Sequence, residues 1–292
     1  MGYIKTKSLE KGQPIKLYYQ DLGEGKPGVL IHGWPLSQEM WEYQVNALVE
    51  NGLRVITYDR RGFGKSSKPL NGYDYDTFTD DLRAVLDTLN LEDVTLVGFS
   101  MGGGEVVRYF SRYGGSRVSQ AVLLGSVTPF LLKTRDNPDG AHKEIFANAI
   151  NVIKEDRIGF IDMFGQQFFG ITKDHRPLSD PLLEYYRTLA SFAGPIPTQK
   201  AVVAYSETDF RKDLKAVNVP TLIIHGDADD IVPIGISSDK TARMIPDNYY
   251  KIYHGAPHGF FYTHKEQLNE DLLEFILHQD HFEPVTVKSG RR

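Results

Sequence analysis

The chain reads as an α/β protein: a mostly parallel sheet with helices on both faces and a helical insertion that spans the chain's midpoint. Short apolar runs alternate with amphipathic stretches, which is how covered parallel strands and their crossover helices look. The strand-like segments ahead of the first helix have no crossover between them, so they form an antiparallel hairpin at one edge. A stretch rich in proline and aromatic residues, 128–198, then breaks the rhythm and is too long for an ordinary loop.

The N-terminal Met1-Gly2-Tyr3-Ile4-Lys5-Thr6-Lys7 is a polar arm entering the first strand. It has no apolar core of a secretory signal, and its match to the permissive myristoylation pattern carries little information. Strands are expected at Ile15–Gln20, Val29–His32, Arg54–Tyr58, Val94–Gly98, Gln120–Leu124, Thr221–His225 and Tyr249–Tyr253. Helices are expected at Met40–Glu50, Asp76–Leu89, Met101–Tyr113, Gly235–Met244 and Lys265–His278, with Thr77 and Asp80 as a capping box on the second. Residues 1–127 and 199–280 form one core, 128–198 a helical cap insertion, and 281–292 a polar tail.

Composition excludes several classes. With 41% hydrophobic and 24% charged residues the 292-residue chain is neither disordered nor fibrous. Lys plus Arg total 33 against 38 Asp plus Glu, so no basic excess exists to neutralise nucleic-acid phosphates or an anionic membrane. No run of apolar residues is long enough to span a bilayer. The absence of cysteine removes disulfides, thiolate catalysis and Cys-ligated metal together, and fits a cytoplasmic location. No His-Glu-x-x-His or similar spacing points to a metal.

Chemistry concentrates at strand ends. Gly98-Phe99-Ser100-Met101-Gly102 follows a strand and opens a helix, the required context of a G-x-S-x-G nucleophile elbow. The glycines permit a turn too tight for Cβ atoms, and the helix N-terminus points free N–H groups at a forming oxyanion. A serine nucleophile needs a base and an orienting acid. The loop after Thr221–His225 offers Asp227, Asp229 and Asp230, and the loop after Tyr249–Tyr253 offers His254 and His258. Chain order Ser, Asp, His is the order this elbow demands. His254 is expected to finish its strand, whereas His258 sits out in the Gly/Pro loop. His32 and His225 are expected to pack or hydrogen-bond. His32-Gly33-Trp34-Pro35 brings the other oxyanion donor, the Trp34 N–H, to face that of Met101; Pro35 has no N–H to give.

Two nucleotide-binding motifs fail. Tyr58-Asp59-Arg60-Arg61-Gly62-Phe63-Gly64-Lys65-Ser66 lacks the first glycine of a Walker A loop and leads into Pro69 rather than a helix. In Gly98–Gly104, Ser100 replaces the second glycine of a dinucleotide fingerprint. Arg60, Arg61, Lys65 and Lys68 read instead as a solvated, salt-bridged loop.

Taken together, His32-Gly33-Trp34-Pro35-Leu36-Ser37, Trp41-Glu42-Tyr43-Gln44, Tyr58–Gly64, Val97–Gly104, His225-Gly226-Asp227-Ala228-Asp229 and Ala256-Pro257-His258-Gly259 resemble the α/β-hydrolase superfamily, and within it the cofactor-free haloperoxidases and aryl esterases of bacteria. The resemblance runs from about Tyr3 to Leu277. It implies an eight-stranded, mostly parallel sheet, with Ser100 as nucleophile, Asp229 as the acid, His258 as the base, and Trp34 and Met101 as oxyanion donors. Pro35, Phe99, Phe130, Phe160, Phe164, Phe192, Ile231 and Val232 are the expected pocket residues.

The resemblance further implies ester hydrolysis through an acyl-enzyme without a cofactor. It also implies perhydrolysis, in which hydrogen peroxide replaces water and the released peracid oxidises halide. A proline after the oxyanion tryptophan, here Pro35, is the pattern of the perhydrolase-leaning members. The partners expected are a small ester and water or peroxide, in a pocket suited to short acyl groups; assembly into a homo-oligomer is left open. Lactones and γ-lactams are alternative substrates within the family. Dehalogenases and epoxide hydrolases of this fold place Asp where Ser100 stands, and the Gly-Asn-Ser elbow of C–C hydrolases is absent. From another class, a ligand receptor could keep the triad and turn over slowly.

Overall fold

The computed structural model describes residues 1–278; the tail expected at 281–292 lies outside them. The strands are β1 (Gly2–Glu10), β2 (Gln13–Leu22), β3 (Pro27–Ile31), β4 (Arg54–Tyr58), β5 (Val94–Phe99), β6 (Val118–Leu124), β7 (Thr221–Gly226) and β8 (Asn248–Tyr253). They form one eight-stranded sheet in the order β1-β2-β4-β3-β5-β6-β7-β8. β2 runs antiparallel to β1 and β4, and all other neighbours are parallel. This is the eight-stranded, mostly parallel sheet that the resemblance implies, with the expected hairpin at its edge.

The helices are α1 (Glu42–Glu50), α2 (Tyr75–Thr88), α3 (Met101–Tyr113), α4 (Lys143–Glu155), α5 (Arg157–Phe168), α6 (Asp180–Ser191), α7 (Pro195–Glu207), α8 (Arg211–Leu214), α9 (Ser238–Thr241), α10 (Phe260–Thr263) and α11 (Lys265–Leu277). Among the described residues none is long and apolar enough to cross a membrane.

The continuous apolar runs follow from the pleat. Successive strand residues face opposite ways, and each face meets a helical layer. Val29, Ile31, Leu96, Leu123 and Ile223 join one core with Phe78, Leu82 and Val107 of α2 and α3. Leu30, Val97, Val122, Leu124 and Ile224 join the other with Leu48 of α1 and Leu268, Leu272 and Phe275 of α11.

Several local expectations change. α2 is capped by Asp74, whose carboxylate accepts from the Thr77 N–H, so the cap lies ahead of the Thr77–Asp80 pair. The expected helix over Gly235–Met244 is a 3-10 turn at Ile234–Ile236 followed by the short α9. Pro195 and Pro197 open α7 where missing N–H groups cost nothing, and this helix runs to Glu207, past residue 198.

The largest correction concerns the basic loop after β4. Arg60 and Arg61 are buried, while Lys65 and Lys68 face outward. Arg61 forms a two-pronged pair with Asp81 at 2.6 Å, and Arg60 pairs with Glu105. Arg60 Nη2 also donates to the His32 carbonyl at 2.7 Å, and its backbone N–H donates to His32 Nε2 at 2.9 Å. His32 Nδ1 faces the Gly33 carbonyl at 2.9 Å and therefore carries the proton. Burial and the Arg60 charge hold His32 well below its ordinary pKa, so it is neutral. This network fixes the backbone that leads from β3 into Trp34.

Candidate active site

The β5–α3 junction is built by exclusion of side chains. A Cβ on Gly98 would fall 2.6 Å from the Gly102 carbonyl oxygen, and one on Gly102 would fall 2.5 Å from that of Ile31. The turn leaves Ser100 at φ 53°, in a region ordinary residues avoid. Its N–H is tied to the Leu124 carbonyl at 2.7 Å. The side chain therefore stands above the carboxyl ends of the parallel strands.

Ser100 Oγ lies 2.9 Å from His258 Nε2, and His258 Nδ1 lies 2.5 Å from Asp229 Oδ2. The three residues come from separate loops and all are buried. Facing a carboxylate, Nδ1 carries the proton, which leaves the Nε2 lone pair free for the serine hydroxyl. Asp229 Oδ1 accepts from the N–H groups of Ile231 at 2.9 Å and Val232 at 2.8 Å. Burial alone would raise this carboxyl, but its electrostatic interaction with His258 and the hydrogen bonds from His225 and His258 outweigh it and hold Asp229 well below the usual range. An imidazole so placed can take the Ser100 proton while the carboxylate stabilises the resulting cation.

The other Asp and His candidates go elsewhere. Asp227 pairs with the exposed His254 at 2.7 Å and accepts from the Gly255 N–H at 2.6 Å, closing a surface turn. Asp230 lies at the surface. The backbone N–H groups of Trp34 and Met101 engage no described acceptor. Met101 is the first residue of α3, so its N–H is one the helix leaves free. No group of three or more His, Asp or Glu among the described residues is arranged to hold a metal ion.

Ser100 and His258 open into a cavity of about 330 Å³. Its inner wall is apolar, with Trp34, Val127, Leu131, Phe160 and Val232, and its mouth is framed by the exposed Ile145, Gln167, Asp230 and Pro233. Trp34 Nε1 donates to the Thr198 carbonyl at 3.0 Å, joining the loop after β3 to α7.

Residues 29–265 match the model of the alpha/beta hydrolase fold family. The chain is 40% identical over 264 residues to the non-heme chloroperoxidase CPO-A1 of Kitasatospora aureofaciens, covering 90% of this chain and 96% of that one. It is 37% identical over 279 residues to the bifunctional esterase/perhydrolase DCH of Acinetobacter calcoaceticus, covering 94% and 99%. Among solved structures, a bromoperoxidase from Bacillus anthracis superposes with a TM-score of 0.89 at 49% identity, over 94% of this chain and 99% of that one. The chain belongs to the alpha/beta hydrolase family, on its non-heme haloperoxidase and esterase side. It is a hydrolase.

Of the expected pocket residues, Phe160, Phe164, Ile231 and Val232 line the hydrolase's cavity. Four do not. Phe192 caps α6 on the outer surface and is 57% exposed. Phe130 is buried beneath the Arg211 guanidinium. Phe99 packs behind His258, with ring centroids 4.9 Å apart, and supports the imidazole from the core. Pro35 lies in a separate small crevice with Leu36, Phe168 and Tyr186. An aromatic stripe on a helix cannot by itself tell a cavity wall from a core contact.

Lining residues the sequence reading missed include Val127, Leu131, Phe146, Ala149 and Tyr205. Phe146 and Ala149 are three apart on α4, a spacing that marks one helix face. Tyr205 carries no such signal, because it lies past residue 198, where the helical insertion is expected to end.

Proposed function

We propose that this hydrolase is a serine carboxylesterase or aryl esterase acting on short-chain esters through an acyl-enzyme, with perhydrolase activity when hydrogen peroxide is the acyl acceptor. The observation that carries the reading is the continuous relay from Asp229 through His258 to Ser100, at 2.5 and 2.9 Å, opening into a mostly apolar cavity. In this reading residues 128–198 act as a cap over the site.

His258 Nε2 takes the Ser100 proton as Oγ attacks the ester carbonyl carbon. The carbonyl oxygen gains negative charge and accepts from the N–H groups of Trp34 and Met101; one such donor is worth about 3–4 kcal/mol in the transition state. The tetrahedral intermediate collapses, the ester C–O bond breaks, and His258 returns its proton to the departing alkoxide. Water or hydrogen peroxide, deprotonated by His258, then attacks the acyl-enzyme and releases acid or peracid along with free Ser100. Asp229 keeps the imidazole in the tautomer that both halves need.

A cavity of about 330 Å³ is at the lower end of small-molecule sites, which supports small esters. The names of the relatives, a chloroperoxidase and a bifunctional esterase/perhydrolase, support the peroxide branch. Pro35 favours that branch by displacing a backbone carbonyl towards the second nucleophile. Mixing the protein with p-nitrophenyl acetate and quenching should give a mass gain of one acetyl group on the peptide carrying Ser100. Adding peroxide should divert acetate to peracetate, and Pro35→Leu should lower the peracetate share. Acetylation elsewhere, or none during turnover, would sink the acyl-enzyme reading; an unchanged share in Pro35→Leu would remove the role given to that proline.

A further inference from the structure

Tyr205 takes no part in the ester chemistry above, yet it lines the cavity that holds Ser100. It lies on α7, with its ring edge-on to Trp34 at 5.9 Å and to Phe146 at 6.4 Å between centroids. Its hydroxyl hydrogen-bonds to no described residue, and desolvation raises its pKa. Tyr205 is half-buried, so its hydroxyl stays accessible from the cavity, and a tyrosine with an apolar body and a polar tip ordinarily offers that tip to a partner. Much of the surrounding wall is hydrocarbon, with Val127, Leu131, Phe146 and Phe160, and the polar Gln167 and Asp230 sit out at the mouth.

The relay decides which part of a substrate meets this phenol. His258 returns its proton to the leaving oxygen, so the alcohol must lie on the His258 side, where Phe99 and Phe168 pack against the imidazole. The acyl chain then extends along the Trp34 side, and Tyr205 packs on Trp34. We infer that Tyr205 is a specificity residue whose hydroxyl donates a hydrogen bond to an oxygen on the acyl chain, so that the preferred substrates are esters of oxo- or alkoxy-substituted acids rather than plain alkanoic acids. The inference rests on Ser100 and His258 being the ester-cleaving pair.

The test compares p-nitrophenyl pentanoate with its near-isosteres, the 4-oxopentanoate, 3-methoxypropanoate and ethoxyacetate, in wild type and Tyr205→Phe. Inductive activation by the added oxygen is common to both proteins and cancels in the ratio. A neutral hydrogen bond replacing an unpaired phenol is expected to raise kcat/KM for at least one oxygenated ester about 5- to 30-fold. Tyr205→Phe should remove that preference, lowering the ratio of kcat/KM for the oxygenated ester to that for pentanoate by the same factor. Inhibition by 4-oxopentanamide against pentanamide reads the same preference on the unaltered protein, the oxo amide binding more tightly. Equal ratios in both proteins for every pair, or equal inhibition by the two amides, would overturn the inference and leave the esterase reading standing. Failure of both proteins to cleave any of these esters would overturn both.

Discussion

The imidazole of His225 lies 3.1 Å from Asp229 Oδ2, the same carboxylate oxygen that meets His258 at 2.5 Å. His225 Nε2 is also 2.8 Å from the Val232 carbonyl, and its Nδ1 is 2.6 Å from Ser238 Oγ. Both neighbours of Nε2 are acceptors, so Nε2 carries the proton and Ser238 donates to Nδ1. Asp229 is thus gripped by two imidazoles and two backbone N–H groups, and in the proposed reaction this makes His225 a positioning residue that acts through Asp229.

His225→Phe removes one donor from that carboxylate without touching Ser100 or His258. A hydrogen bond to a charged group is worth about 1.5–3 kcal/mol, so kcat on p-nitrophenyl acetate should fall about 10- to 100-fold with KM little changed. An unaltered kcat would show that the remaining contacts suffice to hold Asp229.

The Arg60–Glu105 pair is fully buried beneath the chain leading to Trp34, and Glu105 also accepts from the Tyr58 hydroxyl at 2.8 Å. Removing one partner strands the other charge. Arg60→Met and Glu105→Leu should each cost about 3–5 kcal/mol, and the double variant much less than their sum. Urea unfolding of the four proteins checks this; additive losses would contradict it.

Asp59 gives a pH dependence of defined sign. Burial pushes its carboxyl up to about 6, although the N–H groups of Gln38 and Lys65 oppose the shift. Between the unfolded value near 3.8 and about 6 the folded state binds the proton more tightly, so Asp59 adds stability as pH falls through this window and loses it as pH rises. The full difference corresponds to about 3 kcal/mol. Relative to Asp59→Asn, the wild type should gain up to about that much between pH 7 and pH 4 in paired unfolding curves. A pH-independent difference would contradict the assignment.

The elbow makes a local prediction. Gly98→Ala drives a Cβ against the Gly102 carbonyl, whereas Gly235→Ala meets nothing within 4 Å. The first should lose about 1–3 kcal/mol of stability and most of the activity, and the second should lose neither. Matching melting temperatures for the two would argue against so tight a packing of this turn.

How far the sequence could be read depended on whether a feature was local or assembled. Runs such as Leu222-Ile223-Ile224 announce strands covered on both faces, and Gly98-Phe99-Ser100-Met101-Gly102 between strand and helix announces the elbow. Choosing Asp229 over Asp227 was harder, since both stand after the same strand; the resemblance named Asp229, and the contacts of each carboxylate now separate them. Arg60 and Arg61 misled because composition suggests solvent, while their burial depends on Glu105 and Asp81 from distant helices. Phe192 and Tyr205 traded places for a similar reason: which aromatic faces the cavity is set by how α4 to α7 pack.

The central claim is that Ser100 is the nucleophile, and hydrolysis of p-nitrophenyl acetate by wild type and Ser100→Ala tests it most directly. Turnover by the wild type, with kcat about 10⁴- to 10⁶-fold lower in a folded Ser100→Ala variant, is the expected result. A wild type no faster than background, or a Ser100→Ala variant that keeps its rate, would contradict the account.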